Sequence, residues 1–350
     1  MRPNSLVERP LEWTRGGGEG LPVAVSSRVR LARNLRDFPF PQRCDENELD
    51  SVTARIRDAV AGAELFRSSE KIVVDDLEPL SRRLLVEQHL LSPALAAGGR
   101  GRLAVIDGKG IISLLINEED HLRVQVVLGG LSLREASRIA FVVHEALQPL
   151  GFAYDEGLGF LTACPTNAGT GMRASVMIHI PALELLGQVN VLVREANRLG
   201  LTVRGTYGEG TEAMGALYQI SNQVTLGPTE DDLVEKVAGV TLRIAEEEER
   251  ARRTLAENRF ADLEDRAWRA WGALRYARSV SVNEALAHLS LIHMAGALAI
   301  VPPLTVPEWN ALVLGVQPAH LEARSGGDLS PQERDRARGD FLRARLARKI

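Results

Sequence analysis

The stretch SSRVRLARNL, residues 26–35, alternates cations with apolar side chains, so that Arg28 and Arg30 fall on one side of an extended chain and Val29 and Leu31 on the other. Three further segments repeat the pattern. Arg123 opposes Leu122, Val124, Val126 and Leu128; Arg173, Ser175, Met177 and His179 oppose Ala174, Val176, Ile178 and Ile180; Arg204 opposes Val203. If these segments are strands of one sheet, five guanidinium groups share a single surface, and that surface suits a polyphosphate. Arginine by itself is a weak marker here, because only four of the 42 basic residues are lysine (Lys71, Lys109, Lys236 and Lys349). The argument therefore rests on the alternation.

Working outward, helical spacing runs from Glu46 to about Phe66 and from Leu80 to Leu91. Asp107-Gly108 and Gly110 then turn Leu103–Ile106 into Ile111–Ile116 as a hairpin. A helix is expected from about Ser132 to Gln148, another from about Leu183 to Arg198, and a strand from Tyr218 to Thr225. Residues 157–171 and 205–210, rich in glycine, read as shaped loops. This order predicts an α+β fold, a largely antiparallel sheet flanked by helices, over residues 1–250. A helix from Thr229 to about Leu255 ends in a charged run, and the remainder, 251–350, reads as a smaller all-α domain.

With 350 residues, 45% hydrophobic and 25% charged, the chain has the composition of an ordinary globular protein long enough for two domains. A net charge of -4 argues against a whole surface made for nucleic acid, which is expected to be met only indirectly, or for anionic membrane. Two cysteines, Cys44 and Cys164, are too few for a disulfide framework. The N-terminal MRPNSLVERP lacks the apolar core of a secretory signal, and the most apolar stretch, Leu289–Val301, is too short to span a bilayer. A cytoplasmic location is expected.

Phosphoryl transfer needs cations around the phosphates, a divalent metal and a positioned nucleophile. The chain contains no GxxxxGK[ST] and no protein-kinase signature, so arginines would replace the usual lysine and glycine loop. Glu119, at the mouth of the Arg123 strand, and Glu209, five residues beyond Arg204, are acids that could grip a planar guanidinium and take up its proton. A free guanidinium has a pKa above ~12, so that proton must leave with the chemistry. Cys164 reads either as a thiolate near arginines or as a small buried hydrophobe. His144-Glu145 has no second histidine at i+4 and is read as structural.

Four runs in order, SSRVRLARNL (26–35), NEEDHLRVQ (117–125), TACPTNAGTGMRASV (162–176) and VRGTYGEGTE (203–212), resemble the ATP:guanido phosphotransferase (phosphagen kinase) family. The resemblance implies that Arg28, Arg30, Arg123, Arg173 and Arg204 bind ATP phosphates, that Glu119 and Glu209 hold the acceptor guanidinium, and that Cys164 lies beside it. It implies that His89 packs on the nucleotide base, and that Mg2+ rides on the phosphates with no protein ligand identified. Unaided, His89 reads as a helix surface residue.

Two departures narrow the branch. Classical metabolite kinases of the family carry a helical domain ahead of the SSRVR motif, which here begins at residue 26, and a histidine where this chain has Met177. Instead, VQPAHL (316–321) and RDRARG (334–339) resemble the bacterial protein-arginine kinase branch. That resemblance implies a kinase acting on arginine side chains of proteins and marking them for Clp-type proteolysis. It also implies an activator protein, a homodimer, and an allosteric phosphoarginine pocket at Arg334, Asp335 and Arg338, with Gly339 where the branch has alanine. By its own spacing, Ser330-Pro331-Gln332-Glu333 starts a capped helix whose Arg334 and Arg338 share a face, and a solvated arginine face is the other reading. Two other functions remain open: a kinase for free arginine or another small guanidine, and an inactive phosphoarginine-binding adaptor.

Overall fold

The computed structural model describes residues 3–17, 22–206 and 213–347. Ten strands occur among them: β1 (Ala24–Arg33), β2 (Glu70–Val73), β3 (Leu103–Ile106), β4 (Ile112–Ile116), β5 (Leu122–Gly129), β6 (Tyr154–Asp155), β7 (Gly159–Phe160), β8 (Met172–His179), β9 (Leu201–Gly205) and β10 (Leu217–Asn222). The helices preceding β8 are α1 (Pro3–Val7), α2 (Glu46–Gly62), α3 (Pro79–Glu87), α4 (Pro93–Ala96) and α5 (Leu133–Ala146). Those following it are α6 (Pro181–Leu185), α7 (Val189–Arg198), α8 (Glu230–Asn258), α9 (Phe260–Tyr276), α10 (Val282–Ala297), α11 (Val306–Gly315), α12 (Pro318–Ser325) and α13 (Pro331–Leu346).

Eight strands form one sheet in the order β2-β3-β4-β5-β1-β8-β10-β9, every neighbouring pair antiparallel. The α+β fold expected from the alternation is the fold observed. Val29, Leu31, Val124, Val126, Ala174 and Val176 are fully buried on the back of the sheet, where α5 and α8 pack. Each such valine or leucine contributes about 1.5–3 kcal/mol relative to an exposed side chain, as an upper estimate. That buried face sets the register, since a slip of one residue would push the arginines into the core.

Several local signals behave as the chemistry requires. Asp45 and Glu48 form a reciprocal capping box at the start of α2, and Ser330 and Glu333 do so at α13, the start expected there. The single helix expected over Leu183–Arg198 is instead two, α6 and α7, parted at Gly187 with φ of +69°. A left-handed residue ends an α-helix, and only glycine takes that conformation without strain. The strand expected to reach Thr225 stops at Asn222, whose side chain accepts from Ala174 N and donates to the carbonyls of Met172 and Val224. After β10 the described residues are helix and loop, with α8 running unbroken through residue 250. No described helix is long and apolar enough to cross a membrane.

Candidate active site

The front face of the sheet carries the arginines. In antiparallel register Ala32 sits across from Arg123, Arg30 across from Gln125 on one side and Arg173 on the other, and Arg28 across from Ser175. Gln219 of β10 faces Arg204 of β9, so five neighbouring strands send their polar side chains to one surface. Gln219 accepts from Arg28 Nη2 at 2.7 Å, and Ser221 accepts from Arg173 Nη2 at 3.1 Å. Neither residue was singled out from the sequence, although both share the parity of the cationic positions.

Crowding of like charge leaves a mark on these groups. Burial, helped by Arg173, pushes the Arg28 guanidinium down to about 10. Arg30 is held well below the ordinary arginine value by Arg28 first, then by burial and by Arg173 and Arg123, and its Nε is buried without a partner. Burial, Arg204 and Arg123 likewise lower Arg173. Arg204 itself is exposed. An anion placed among these groups would relieve their mutual repulsion.

Two cavities open on this face and share a wall. One, of about 430 Å3, is bordered by Arg28, Arg30, Arg123, Glu118 and the turn bearing His89, Leu91 and Pro93. The other, of about 250 Å3, is bordered by Arg30, Arg123, Arg173, Glu119, Cys164 and Asn167. Arg30 and Arg123 border both. A larger cavity of about 910 Å3, between α6, α9 and α10, contains none of the sheet arginines.

Arg123 is clamped by three consecutive acids, with Glu118 Oε1 at 2.9 Å, Glu119 Oε2 at 2.6 Å and Asp120 Oδ2 at 3.3 Å. Burial alone would lower its pKa, but the three carboxylates outweigh burial and raise it. Glu118 keeps a buried oxygen, Oε2, without a partner. Asp120 is fully buried, and its Oδ1 accepts from Asn34 Nδ2 at 2.8 Å and from Ala163 N at 2.9 Å. One carboxylate thus ties the end of β1, the acidic loop and the loop that begins at Leu161. Glu119 was singled out from the sequence, but the anchoring role of Asn34 and Asp120 was missed, because it depends on contacts between distant segments.

Cys164 borders the smaller cavity, half-buried, with its Sγ 3.0 Å from Thr166 Oγ1. Gly171, at φ +60°, lets this loop return against β1; a Cβ there would meet Ala32 O at 2.7 Å and Arg33 Nη1 at 2.6 Å. Arg33, buried under Phe160 and bonded to the Thr170 carbonyl and His144 Nδ1, is a structural arginine on the opposite face, and His144 is structural with it. His89 follows α3 in a left-handed conformation, φ +63°, with its ring 5.4 Å from that of Trp13 and its carbonyl held by Gln125 Nε2 at 2.7 Å. Burial and then Arg28 push this imidazole down to about 4, so it is neutral at ordinary pH. Glu209 lies outside the described residues.

The C-terminal arginines are differently placed. Arg338 is 2% exposed and its guanidinium donates to Val316 O, Val280 O and Asp335 Oδ1 at 2.9, 2.7 and 2.6 Å. Arg334, partly exposed, donates to Glu322 Oε1 at 2.9 Å. Arg338 therefore serves as a tie between helices, not the solvated group its spacing allowed. Gly339 also has a packing reason, since a Cβ would come within 2.9 Å of Arg278 O.

Comparison with known proteins agrees with this geometry. The sequence model of the ATP:guanido phosphotransferase C-terminal catalytic domain matches residues 51–251, and that of the protein-arginine kinase McsB C-terminal domain matches residues 260–349. The chain is 43% identical over 349 residues to the protein-arginine kinase of Symbiobacterium thermophilum, covering 98% of this chain and 99% of that one. It is 42% identical over 348 residues to that of Halothermothrix orenii, covering 99% of each. Among solved structures it is similar to a duplicated taurocyamine kinase from Schistosoma mansoni with bound transition state analog components, at TM-score 0.57 and 32% identity over 65% of this chain and 33% of that chain. Lombricine kinase is similar at TM-score 0.56 and 26% identity over 69% of this chain and 70% of that one.

Proposed function

The chain belongs to the ATP:guanido phosphotransferase family, and on that premise we propose that it transfers the γ-phosphoryl group of ATP to a guanidino nitrogen of arginine residues in proteins. It is an ATP-dependent guanidino phosphotransferase by family; the protein acceptor is the finer reading. The observation that carries it is the pair of cavities meeting at Arg30 and Arg123, one sized for a nucleotide and one bordered by Glu119. The smaller suits a guanidinium headgroup, and the full-length likeness to protein-arginine kinases favours a protein side chain over free arginine as its source.

The 430 Å3 cavity takes the nucleotide, with neutral His89 toward the base and Arg28, Arg30 and Arg123, joined by Arg173 and Arg204 of the neighbouring strands, toward the phosphates. Glu119, already bonded to one guanidinium in Arg123, exchanges that partner for the acceptor's while Arg123 keeps Glu118 and Asp120. Attack forms a P–N bond and breaks the bond to the leaving ADP oxygen, and the nitrogen's proton passes to Glu119, with Glu209 proposed as the second acid. The fixed cations carry the negative charge that develops on the phosphoryl oxygens and ADP. Cys164, which borders the smaller cavity, is assigned a contact with the acceptor headgroup.

Mg2+ is the expected metal. Glu118, whose buried Oε2 has no partner and which borders the nucleotide cavity, fits it through one carboxylate oxygen, and no described cluster of three metal-ligating side chains competes. When bound, the ion would neutralise charge on the phosphates.

Arginine-bearing protein substrates belong to the same proposal, supported by the named relatives and the C-terminal match; an activator protein, the Clp protease machinery and a homodimer belong to it only through the resemblance of VQPAHL and RDRARG. A phosphoarginine pocket near Arg334 would need Arg334 to exchange its Glu322 contact, because Arg338 and Asp335 already bond each other.

Replacing Glu119 by Gln tests the mechanism. Turnover should fall by at least about a hundredfold, as expected for loss of a positioned base, with ATP affinity within about twofold of the parent. An E119Q enzyme with parental turnover would remove Glu119 from this role.

A further inference from the structure

Glu87 ends α3, where a carboxylate opposes the dipole of its own helix. Its stability there comes from another part of the chain. Helix α12 has Gln317 as its N-cap residue but no side-chain cap, since Gln317 instead donates its amide to Val313 O. Glu87 reaches across and fills that place, accepting from Ala319 N at 2.8 Å, from His320 N at 3.1 Å and from His320 Nδ1 at 2.7 Å. The imidazole must donate, since an ionised carboxylate has no proton to offer. One turn earlier, Arg83 lies 2.8 Å from the buried Glu322 of α12, so residues i and i+4 of α3 both fasten the same helix.

The fastened end of α3 is also a wall of the nucleotide cavity. Val86 and Glu87 border that cavity together with His89, and Gln317 borders it from the α12 side. The left-handed turn at His89 begins two residues after Glu87, so the position of the imidazole follows from where α3 ends. We propose that Glu87 is a positioning residue for the nucleotide: by capping α12 from α3, it makes the C-terminal helical region hold the His89 turn in its ATP-binding place. This rests on the assignment of the 430 Å3 cavity to ATP.

Glu87 touches neither the acceptor acids nor the phosphate arginines in the hydrogen bonds described, so its loss should weaken nucleotide binding more than chemistry. In full-length E87A, the KM for ATP is expected to rise about tenfold, about 1.4 kcal/mol, with kcat at saturating ATP within about twofold. The double variant E87A/Q317S gives α12 a cap of its own, with Q317S alone as control. Its melting temperature should recover while its KM for ATP stays raised. H320A, which leaves both amide bonds in place, should move KM in the same direction by less, and it keeps the test open should E87A fail to fold. An unchanged KM for ATP in E87A and H320A, or a KM restored along with stability by Q317S, overturns the assignment. A parent enzyme that does not bind ATP, measured directly by calorimetry, overturns the nucleotide reading itself and this inference with it.

Discussion

Asp120→Asn isolates the contact that joins the three segments of the acceptor side. The substitution keeps shape and volume, and its carbonyl still accepts from Asn34 Nδ2 and Ala163 N, which fixes the amide's orientation. The NH2 group must then face Arg123, a donor set against a donor where the carboxylate Oδ2 stood at 3.3 Å. One charge-assisted bond is lost, at ~1.5–3 kcal/mol, and two others become neutral, so a total of about 2–4 kcal/mol is expected. Arg123 retains Glu118 and Glu119, which keeps the loss below that of a fully orphaned buried charge. Thermal denaturation should show a melting temperature lower by roughly 3–5 °C. Steady-state kinetics should show a fall in kcat of at least tenfold, because Glu119 and the Cys164 loop lose their common anchor, with the KM for ATP changed much less. A D120N enzyme with parental melting temperature and kcat would refute the anchoring role.

Two further outcomes follow from the structure. Gly339→Ala gains about 1 kcal/mol of helix propensity but places a methyl 2.9 Å from Arg278 O, an overpacking cost of about 1–3 kcal/mol, so the variant should be no more stable and up to ~2 kcal/mol less stable in denaturant titration; a clear stabilisation would contradict the close approach of α13 to the end of α9. Burial holds His89, His121, His144 and His293 near 4 and His179 well below its usual value, with Arg28, Arg33 and Arg252 contributing at His89, His144 and the His179–His293 pair. These folded-state values lie below the unfolded ~6.5, so the unfolded chain binds protons first as pH falls; stability is full above about pH 6.5 and declines toward pH 4, each well-buried imidazole contributing up to ~1.4 kcal/mol per pH unit. A melting temperature flat from pH 6.5 to 4.5 would contradict this.

The sheet and its arginine face were legible because a period of two is imposed by the pleat itself: Arg30 and Arg173 had to share a face once both lay on paired strands. Helix starts were legible for the same local reason, as at Ser330. What escaped was set by contacts between distant segments. The role of Asp120 emerges only when Asn34 and Ala163 close on it, and that of Glu87 only when the N-terminus of α12 meets it. Arg338, read as exposed or ligand-binding, was withdrawn from solvent by carbonyls of Val280 and Val316, which no helical wheel displays. The break at Gly187 was a local signal passed over in favour of the apolar spacing on either side.

The central claim is that the arginine face delivers a phosphoryl group to an arginine side chain of a protein. Incubating the enzyme with γ-labelled ATP and, side by side, an arginine-bearing protein and free arginine, then locating the label by mass spectrometry under non-acidic conditions, tests it directly. The expected result is acid-labile phosphate on guanidino nitrogens of the protein, lost with E119Q. Label on free arginine alone, or acid-stable label on hydroxyl groups, would contradict it.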